Sequence, residues 1–599
     1  MPDQSTLSFP VGGLNIKDDP LTLTDRQYRF STNTIVDRAA LSGRHGIREI
    51  GLVSETEGLV DDFQSLNLQG AVRYSPSQGQ SAIQQADKGE FLFVAAGGRK
   101  FTIAIEGSNA NTRGVLREVP SKDGIRQPSD LHQMWLRQCE NYMVSCDDFG
   151  VTWFWDSVND AEVSPGYNVV DRDLSRIPNR SRIPTYLDGR ITVVFNDANM
   201  LIGDLIHADG QTSSQNILRF TEQTYWATGQ LVTLPTNAGA ITAGYGLPSL
   251  TSLNNQSGQI IEAENGVYFL RLDVPRSQWS DTQILFPVSH ASGCVGQFAY
   301  ETINDDAIRR TSEGIERVSF YRGQDEVTGR SLRISDPVDD YLDRDFEPAT
   351  RFTSLSLHRK ARRMFCTVRP FLSGSNWQSR GMLAFNTEKG IWESLWTFPS
   401  WCRDIKLTVP MFLAGEQRLM VLAGGGGKCI RLVEVDTLSR EDVDCEGNVT
   451  QILKTVEPRS TFGDLRKKVA IERGELQFDR VEGEVCWEVR WKSSEFPGQW
   501  RTWASGTITN KSETGQVSER VVPIKLSQFP GADREGVRIY DAIQFDFQIR
   551  WTGKADLRFH EFEARESDGE RDTRLDDGDL ILDGDPRLFT DDEFEYTRI

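Results

Sequence analysis

The sequence predicts an all-β chain: a β-propeller of about six blades, with seven also open, joined to an additional antiparallel β-sandwich that forms a platform. Three observations carry this. Short apolar runs separated by polar or glycine-containing turns recur from Val72 to Val435, helical periodicity is nearly absent, and after Asp444 the pattern changes to long, strict alternation. A single sandwich spread over roughly 350 residues would need too many strands, whereas repeated hairpins stacked as blades fill that length naturally.

The hairpins are most legible in YMVSCDDFGVTWFWDSVNDA, Tyr142 to Ala161. Two apolar runs flank a break at Asp147, Asp148 and Gly150. The spacing Asp148-x-Gly150-x-Thr152-Trp153 resembles the Asp-box turn of sialidase-like propellers, with Cys146 at the expected serine and Ser145 one place earlier. Asp148 is expected to accept backbone N–H bonds in the turn, Gly150 to supply positive φ, and Trp153 to pack between hairpins. Further strand pairs are expected at Phe91–Ala95 with Lys100–Ile105, Arg190–Phe195 with Met200–Ile206, Arg363–Val368 with Met382–Phe385, and Leu419–Leu422 with Cys429–Val435. Single strands are expected at Val267–Leu272 and Arg317–Tyr321. The glycine run Gly424–Gly427 before Lys428 lacks the spacer and the Ser/Thr of a phosphate-binding loop and precedes a strand, so it reads as a hairpin turn. Trp392 and Trp396 read as inter-blade packing, with a carbohydrate platform as the alternative.

In the second part, Val485, Trp487, Val489 and Trp491 share one face, as do Ile543, Phe545, Phe547, Ile549 and Trp551. One apolar and one polar face per strand is the pattern of an antiparallel sandwich. The resulting division is an N-terminal arm at 1–60, the propeller at 61–445, the sandwich at 446–560 and an acidic tail at 561–599.

Composition narrows the class further. The formal net charge is −20, and the segment Glu561 to Ile599 carries half of it, with 15 Asp and Glu against 5 Arg and no Lys. The remaining body is mildly acidic and lacks the basic stripe of a conventional DNA-binding module. Arg466, Lys467 and Lys468 form a dense basic cluster, read as a solvated edge or a contact for an acidic or phosphate partner. Asp576, Asp577, Asp579, Asp583 and Asp585 miss the EF-hand positions, so the tail is expected to dock on a neighbouring subunit through Leu580–Leu582 and Phe589–Tyr596. The eight cysteines form no CxxC pair and read as reduced, mostly buried residues. No catalytic, cofactor-binding or metal site is expected. The start MPDQSTLSFPVGG lacks a basic region and an apolar stretch, so synthesis and folding in a cytoplasm are expected, without a membrane-spanning segment.

Several passages, in order, carry a resemblance. The opening GLN with an Asp-rich turn leads to Arg44-x-Gly46; later come Gly239–Ala243, Gly266–Tyr268, Gly293–Gly296 and Gly314–Glu316, then QSRGMLAFNTEKGIWESLW and VEPRSTFGDLRKKVAIERGELQFDR. Together these resemble the tail nozzle (tail tubular) proteins of short-tailed bacteriophages over about two thirds of the chain. The resemblance implies a structural virion protein, a homo-hexameric ring below the portal and head–tail adaptor. Double-stranded DNA passes through it, and tail fibre or tip proteins attach to it. No enzymatic activity is implied. Two alternatives stand beside it: a sialidase-like glycoside hydrolase, which needs three converging arginines and a Tyr–Glu pair, and a peripheral receptor-binding tail protein.

Overall fold

A computed structural model describes residues 4–566 except for 6–11, 76–89, 123–131, 157–161, 164–176, 205–217, 221–230, 247–257, 273–277, 344–352, 510–521, 530–541 and shorter stretches. Residues 567–599 lie outside the description, and with them all five tail aspartates and both expected tail anchors.

Seven antiparallel four-stranded sheets follow one another along the chain. Their first strands are Leu68–Tyr74, Trp135–Cys139, Arg182–Leu187, Ile241–Gly246, Tyr300–Ile303, Leu355–His358 and Asp404–Leu413, which begin blades 1 to 7. First strands of successive blades pack together, blades 4 and 5 through the stacked rings of Tyr245 and Tyr300 at 4.4 Å, and Asp404–Leu413 returns to Leu68–Tyr74. The ring is thus closed: the fold is a β-propeller.

The expected hairpins are present with small changes of boundary. Phe91–Ala96 pairs with Arg99–Glu106, Tyr142–Cys146 with Trp153–Trp155, and Glu416–Gly425 with Lys428–Asp436. The blade count is seven, one more than the six preferred from sequence. The physical reason is the closure of blade 7, whose first three strands end at Asp436 and whose fourth is Gly46–Glu49, from near the other end of the chain. A scan along the chain sees three strands there and no complete wedge. Gly51–Val53 then adds to the outer strand of blade 1 in parallel, so consecutive residues latch the last blade to the first.

The sandwich has two five-stranded layers with short additions. One runs Thr34–Asp37, Ala40–Gly43, Lys554–Glu566, Val469–Glu482, Val522–Lys525; the other runs Gln27–Thr32, Lys454–Pro458, Gln544–Trp551, Glu484–Ser493, Phe496–Thr509. The alternation read from sequence points inward: Val485, Val489, Trp491, Phe545, Phe547, Ile549 and Trp551 are buried. They face Leu476, Phe478, Leu557 and Phe562 of the other layer in one apolar cluster. Phe547 stacks on Phe562 at 4.0 Å and Trp551 meets Phe478 edge-on at 6.1 Å, each ring pair contributing ~1 kcal/mol beyond its buried area. The Lys554–Glu566 strand runs into the segment read from sequence as acidic tail.

Gln27–Thr32 also joins the two bodies. It pairs antiparallel with Lys454–Pro458 in the sandwich and, at Thr32, parallel with Leu395 of blade 6, so one sheet runs from blade 6 into the platform.

Candidate functional site: the ionic junction between propeller and platform

The junction is built from the segment 28–50. Gln27–Thr32 and Thr34–Asp37 run along the outer strand of blade 6, Ile391–Trp396. A buried carboxylate there, Glu393, is satisfied from four sides. Arg363 donates from Nε (2.6 Å) and Nη2 (3.1 Å), Asn386 from Nδ2 (2.8 Å), and the Val36 N–H adds a fourth bond (3.0 Å). Ser394 Oγ accepts from the Thr34 N–H at 3.1 Å and donates back to Thr34 O at 2.5 Å. Against blade 6 these strands pair only at Thr32 with Leu395, so side-chain bonds take the place of a longer ladder there.

Arg44 is the centre of the junction, 1% exposed. Its guanidinium makes a bidentate pair with Asp442 of the segment after blade 7 (2.8 and 2.7 Å) and donates to Asn33 Oδ1 (3.0 Å), His45 O (2.8 Å) and Thr397 O (2.9 Å). All five N–H groups are used, which is the condition under which a buried arginine is tolerated. Asp442 Oδ1 also accepts from the Ile47 N–H at 3.1 Å, so the same pair anchors the strand that closes blade 7. Gly46 is required by close approach: a Cβ there would stand 2.1 Å from Glu441 O. Three residues on, Glu49 pairs with Arg431 of blade 7.

Beside Arg44 lies a cavity of about 150 Å³ lined by Gly43, Arg440, Lys454, Arg480, Glu482, Gly553 and Lys554 to Asp556. Arg480, itself at positive φ, pairs with Asp37 (2.9 Å) and Asp556. Lys554 pairs with the exposed Glu482 at 3.2 Å on the rim. Lys454 is 1% exposed and donates to Gly553 O; Arg440 donates to Gly43 O (2.6 Å) and meets His45 Nδ1 (3.4 Å). Burial pushes the Lys454 ammonium down to about 7, with Arg44 and Arg440 adding repulsion. Burial likewise lowers Arg440 and holds His45 well below the ordinary histidine range.

A second charged cluster lies on the propeller axis. Burial pushes the Tyr300 hydroxyl of blade 5 up, against the pull of Arg137, which reaches it from blade 2 across the ring. The neighbouring Glu301 has its carboxyl pushed up to about 7 by burial, against the pull of the Leu357 N–H and of Arg73 and Arg359. Arg73 also lies over the Phe412 ring at 5.5 Å.

The residues singled out in the sequence have structural surroundings. Trp153 is buried in the cluster between blades 1 and 2, with Lys100 over its ring at 3.6 Å. Asp148 lies outside the described residues; Asp147 is buried and its carbonyl accepts from Gly150 N at 3.3 Å. Trp392 donates to Ile334 O at 2.7 Å, and Trp396, fully buried, packs edge-on against Phe365. Gly425–Gly427 form the turn of a hairpin, all at positive φ. Arg466 and Lys467 lie outside the described residues. All eight cysteines are free, five of them buried. A Tyr–Glu pair does occur: Tyr245 donates to Glu262, which also takes Arg309 at 2.7 Å. All three are buried between blades 4 and 5, with a single guanidinium on Glu262, and they act as a cross-blade strut. Among the described residues no group of three or more metal-ligating side chains is found, and no helix is long and apolar enough to cross a membrane.

The junction was not singled out in the sequence as a site. Its only trace was Arg44-x-Gly46, since its other members are separated by some ~400 positions, a range at which charge pairing leaves no local pattern.

No family model matches the chain, and no curated protein does. Among solved structures, it is similar to Sqt1 of Chaetomium thermophilum, bound to the N-terminus of ribosomal protein L10 (11% identity, TM-score 0.34, 57% of this chain and 80% of that one). It is also similar to PorZ, a surface component of the type-IX secretion system of Porphyromonas gingivalis (9%, TM-score 0.34, 74% of this chain); the chain spans 63% of PorZ. A third is a glycoside hydrolase family 43 arabinoxylan arabinofuranohydrolase from Bacillus subtilis (8%, TM-score 0.23, 85% of this chain and 97% of that one).

Proposed function

We propose that the chain is a structural virion protein, the nozzle subunit of a short bacteriophage tail. In this reading six copies form a ring below the portal and head–tail adaptor, double-stranded DNA passes through the shared channel, and tail fibre or tip proteins attach outside. Subunits are made in the host cytoplasm and carry no catalytic role. The observation that supports this best is the path of residues 27–53, which contribute strands to both layers of the sandwich and to blades 7 and 1. Such a weave makes propeller and platform one stiff wedge, which a pressure-bearing ring needs and a binding module does not. Arg44-x-Gly46, one marker of the nozzle resemblance, lies at the centre of that weave. Among the described residues the sandwich layers end in Phe496–Thr509 and Val522–Lys525, which offer backbone groups for a neighbouring subunit. A mildly acidic body suits a conduit, because each phosphate gripped by a cation would slow transit.

Negative-stain microscopy and mass measurement of the purified full chain test the reading. A hollow six-fold ring is expected. A compact monomer that hydrolyses glycosides overturns it.

A further inference from the structure

We propose that the outer edges of blades 5 and 7 are the two halves of one self-association contact, in which the open strand Val327–Arg333 of one copy pairs head-to-tail with the hairpin Glu441–Gln451 of the next. This contact presupposes the ring proposed above and supplies its subunit faces. Val327–Arg333 is the outermost strand of blade 5, and in blade 7 the hairpin of Glu441–Val443 with Val449–Gln451 extends the sheet past Gly46–Glu49. Among the described residues no strand pairs with the free side of either. Six large apolar side chains are markedly exposed among the described residues, and four of them lie here: Leu332 (63%) in the blade 5 strand, and Leu438, Val449 (56%) and Leu453 in or beside the blade 7 hairpin. The run Val449–Leu453, VTQIL, carries neither charge nor proline, the usual protection of an open strand edge. Left unpaired, it is a template for another strand.

Charge selects which strand. Arg330 is exposed and has no carboxylate partner among the described residues, whereas Arg317 and Arg333 beside it are held by Asp306 and Asp339. In the turn of the blade 7 hairpin, Asp444 and Glu446 accept from Asn448 and from backbone N–H groups of the turn, with no described cation on either. Pairing either edge with its own copy would set like charges against each other; pairing one edge with the other sets Arg330 against Asp444 and Glu446. Position agrees with this choice. Blade 6, between the two, carries the platform through Thr32 and Leu395. The edges therefore stand on opposite flanks of the wedge, where a head-to-tail contact has to lie if copies are to close into a ring and not stop at a pair.

Sedimentation velocity of the full-length protein over a range of concentrations tests this. The wild type is expected to sediment as a closed oligomer. Leu332→Lys and Val449→Lys, both at exposed positions, are expected to keep the wild-type circular dichroism and to sediment as monomers. Arg330→Glu and Glu446→Arg are each expected to raise the dissociation constant about tenfold or more, and the Arg330→Glu/Glu446→Arg double variant to return toward wild type, because the swap restores opposite charge. An oligomeric wild type whose assembly survives both lysine variants would overturn the contact and leave the ring reading standing; a wild type monomeric at every concentration would overturn both. Dissociation by only one of the lysine variants would indicate a two-fold contact of one edge with itself, and a double charge variant no tighter than the singles would equally overturn the pairing. Should a lysine variant fail to fold, the charge swap decides alone.

Discussion

Arg44 concentrates the energetics of the junction in one side chain. Replacing it with Met leaves Asp442 buried without its partner, and stability is expected to fall by ~3–5 kcal/mol in urea denaturation. The double variant Arg44→Met/Asp442→Leu is expected to recover much of that loss, since the cost lies in the stranded charge. Two glycines a few residues apart behave oppositely. Gly46→Ala drives a Cβ into the Glu441 carbonyl, a backbone atom unable to yield, and is expected to destabilise by more than ~1 kcal/mol. Gly51 has open space around its missing Cβ, so Gly51→Ala is expected to be neutral or slightly stabilising in the same measurement.

Titration at single residues also sets a pH profile. Burial pushes the His560 imidazole down to about 4, whereas in the unfolded chain it titrates near 6.5. The folded state keeps this ring neutral, so its contribution is complete above about 6.5 and is lost as pH falls toward about 4, on the order of 3 kcal/mol in all. Glu301 has the opposite sign: with its carboxyl raised to about 7, its contribution is complete below the ordinary carboxylate range and lost as pH rises to about 7. Unfolding free energies of wild type, His560→Leu and Glu301→Gln between pH 4 and 8 check both. The histidine variant is expected to lose acid sensitivity, and the glutamate variant to lose the decline toward neutrality.

Among elements, Gly46–Glu49 has the largest consequence for its length. Four residues complete blade 7, with Ile47 opposite Val435 and buried in the cluster shared by blades 6 and 7. Ile47→Ala is expected to cost ~2–5 kcal/mol. Hydrogen exchange is expected to show the loss of protection in the Lys428–Asp436 strand as well as in Gly46–Glu49, because opening the latch frees the outer edge of the blade. Protection lost only at Gly46–Glu49 would mean that closure is local and the ring does not depend on it.

For the whole molecule, continuity of sheet and core across the junction predicts a single cooperative transition. The apolar cluster containing Trp551 and Phe547 of the sandwich also contains Leu383 and Leu395 of blade 6. Scanning calorimetry is therefore expected to show one endotherm, and Arg44→Met to split or broaden it; two resolved transitions in the wild type would separate propeller from platform energetically. A fragment spanning only Val469–Glu566 lacks Gln27–Thr32, Thr34–Asp37, Ala40–Gly43 and Lys454–Pro458, all sandwich strands. It is not expected to fold alone, as circular dichroism would show.

What the sequence determined by itself was local. Alternation in Val485–Trp491 and Phe545–Trp551, and apolar runs such as Phe91–Ala95 and Leu419–Leu422, dictate strands and their buried faces, because side chains of a strand alternate between faces whatever its partner. The all-β class and the hairpin role of Gly424–Gly427 were legible for the same reason. Most first strands of the blades were not, since strands such as Leu68–Tyr74 and Tyr300–Ile303 mix polar with apolar residues. Tertiary structure alone decided the seventh blade, the distribution of residues 27–50 over several sheets, and the charged junction around Arg44, Lys454 and Arg440. Each depends on pairing between residues hundreds of positions apart, and such pairing is settled by closure of the ring and burial of charge, neither of which any local window of sequence contains.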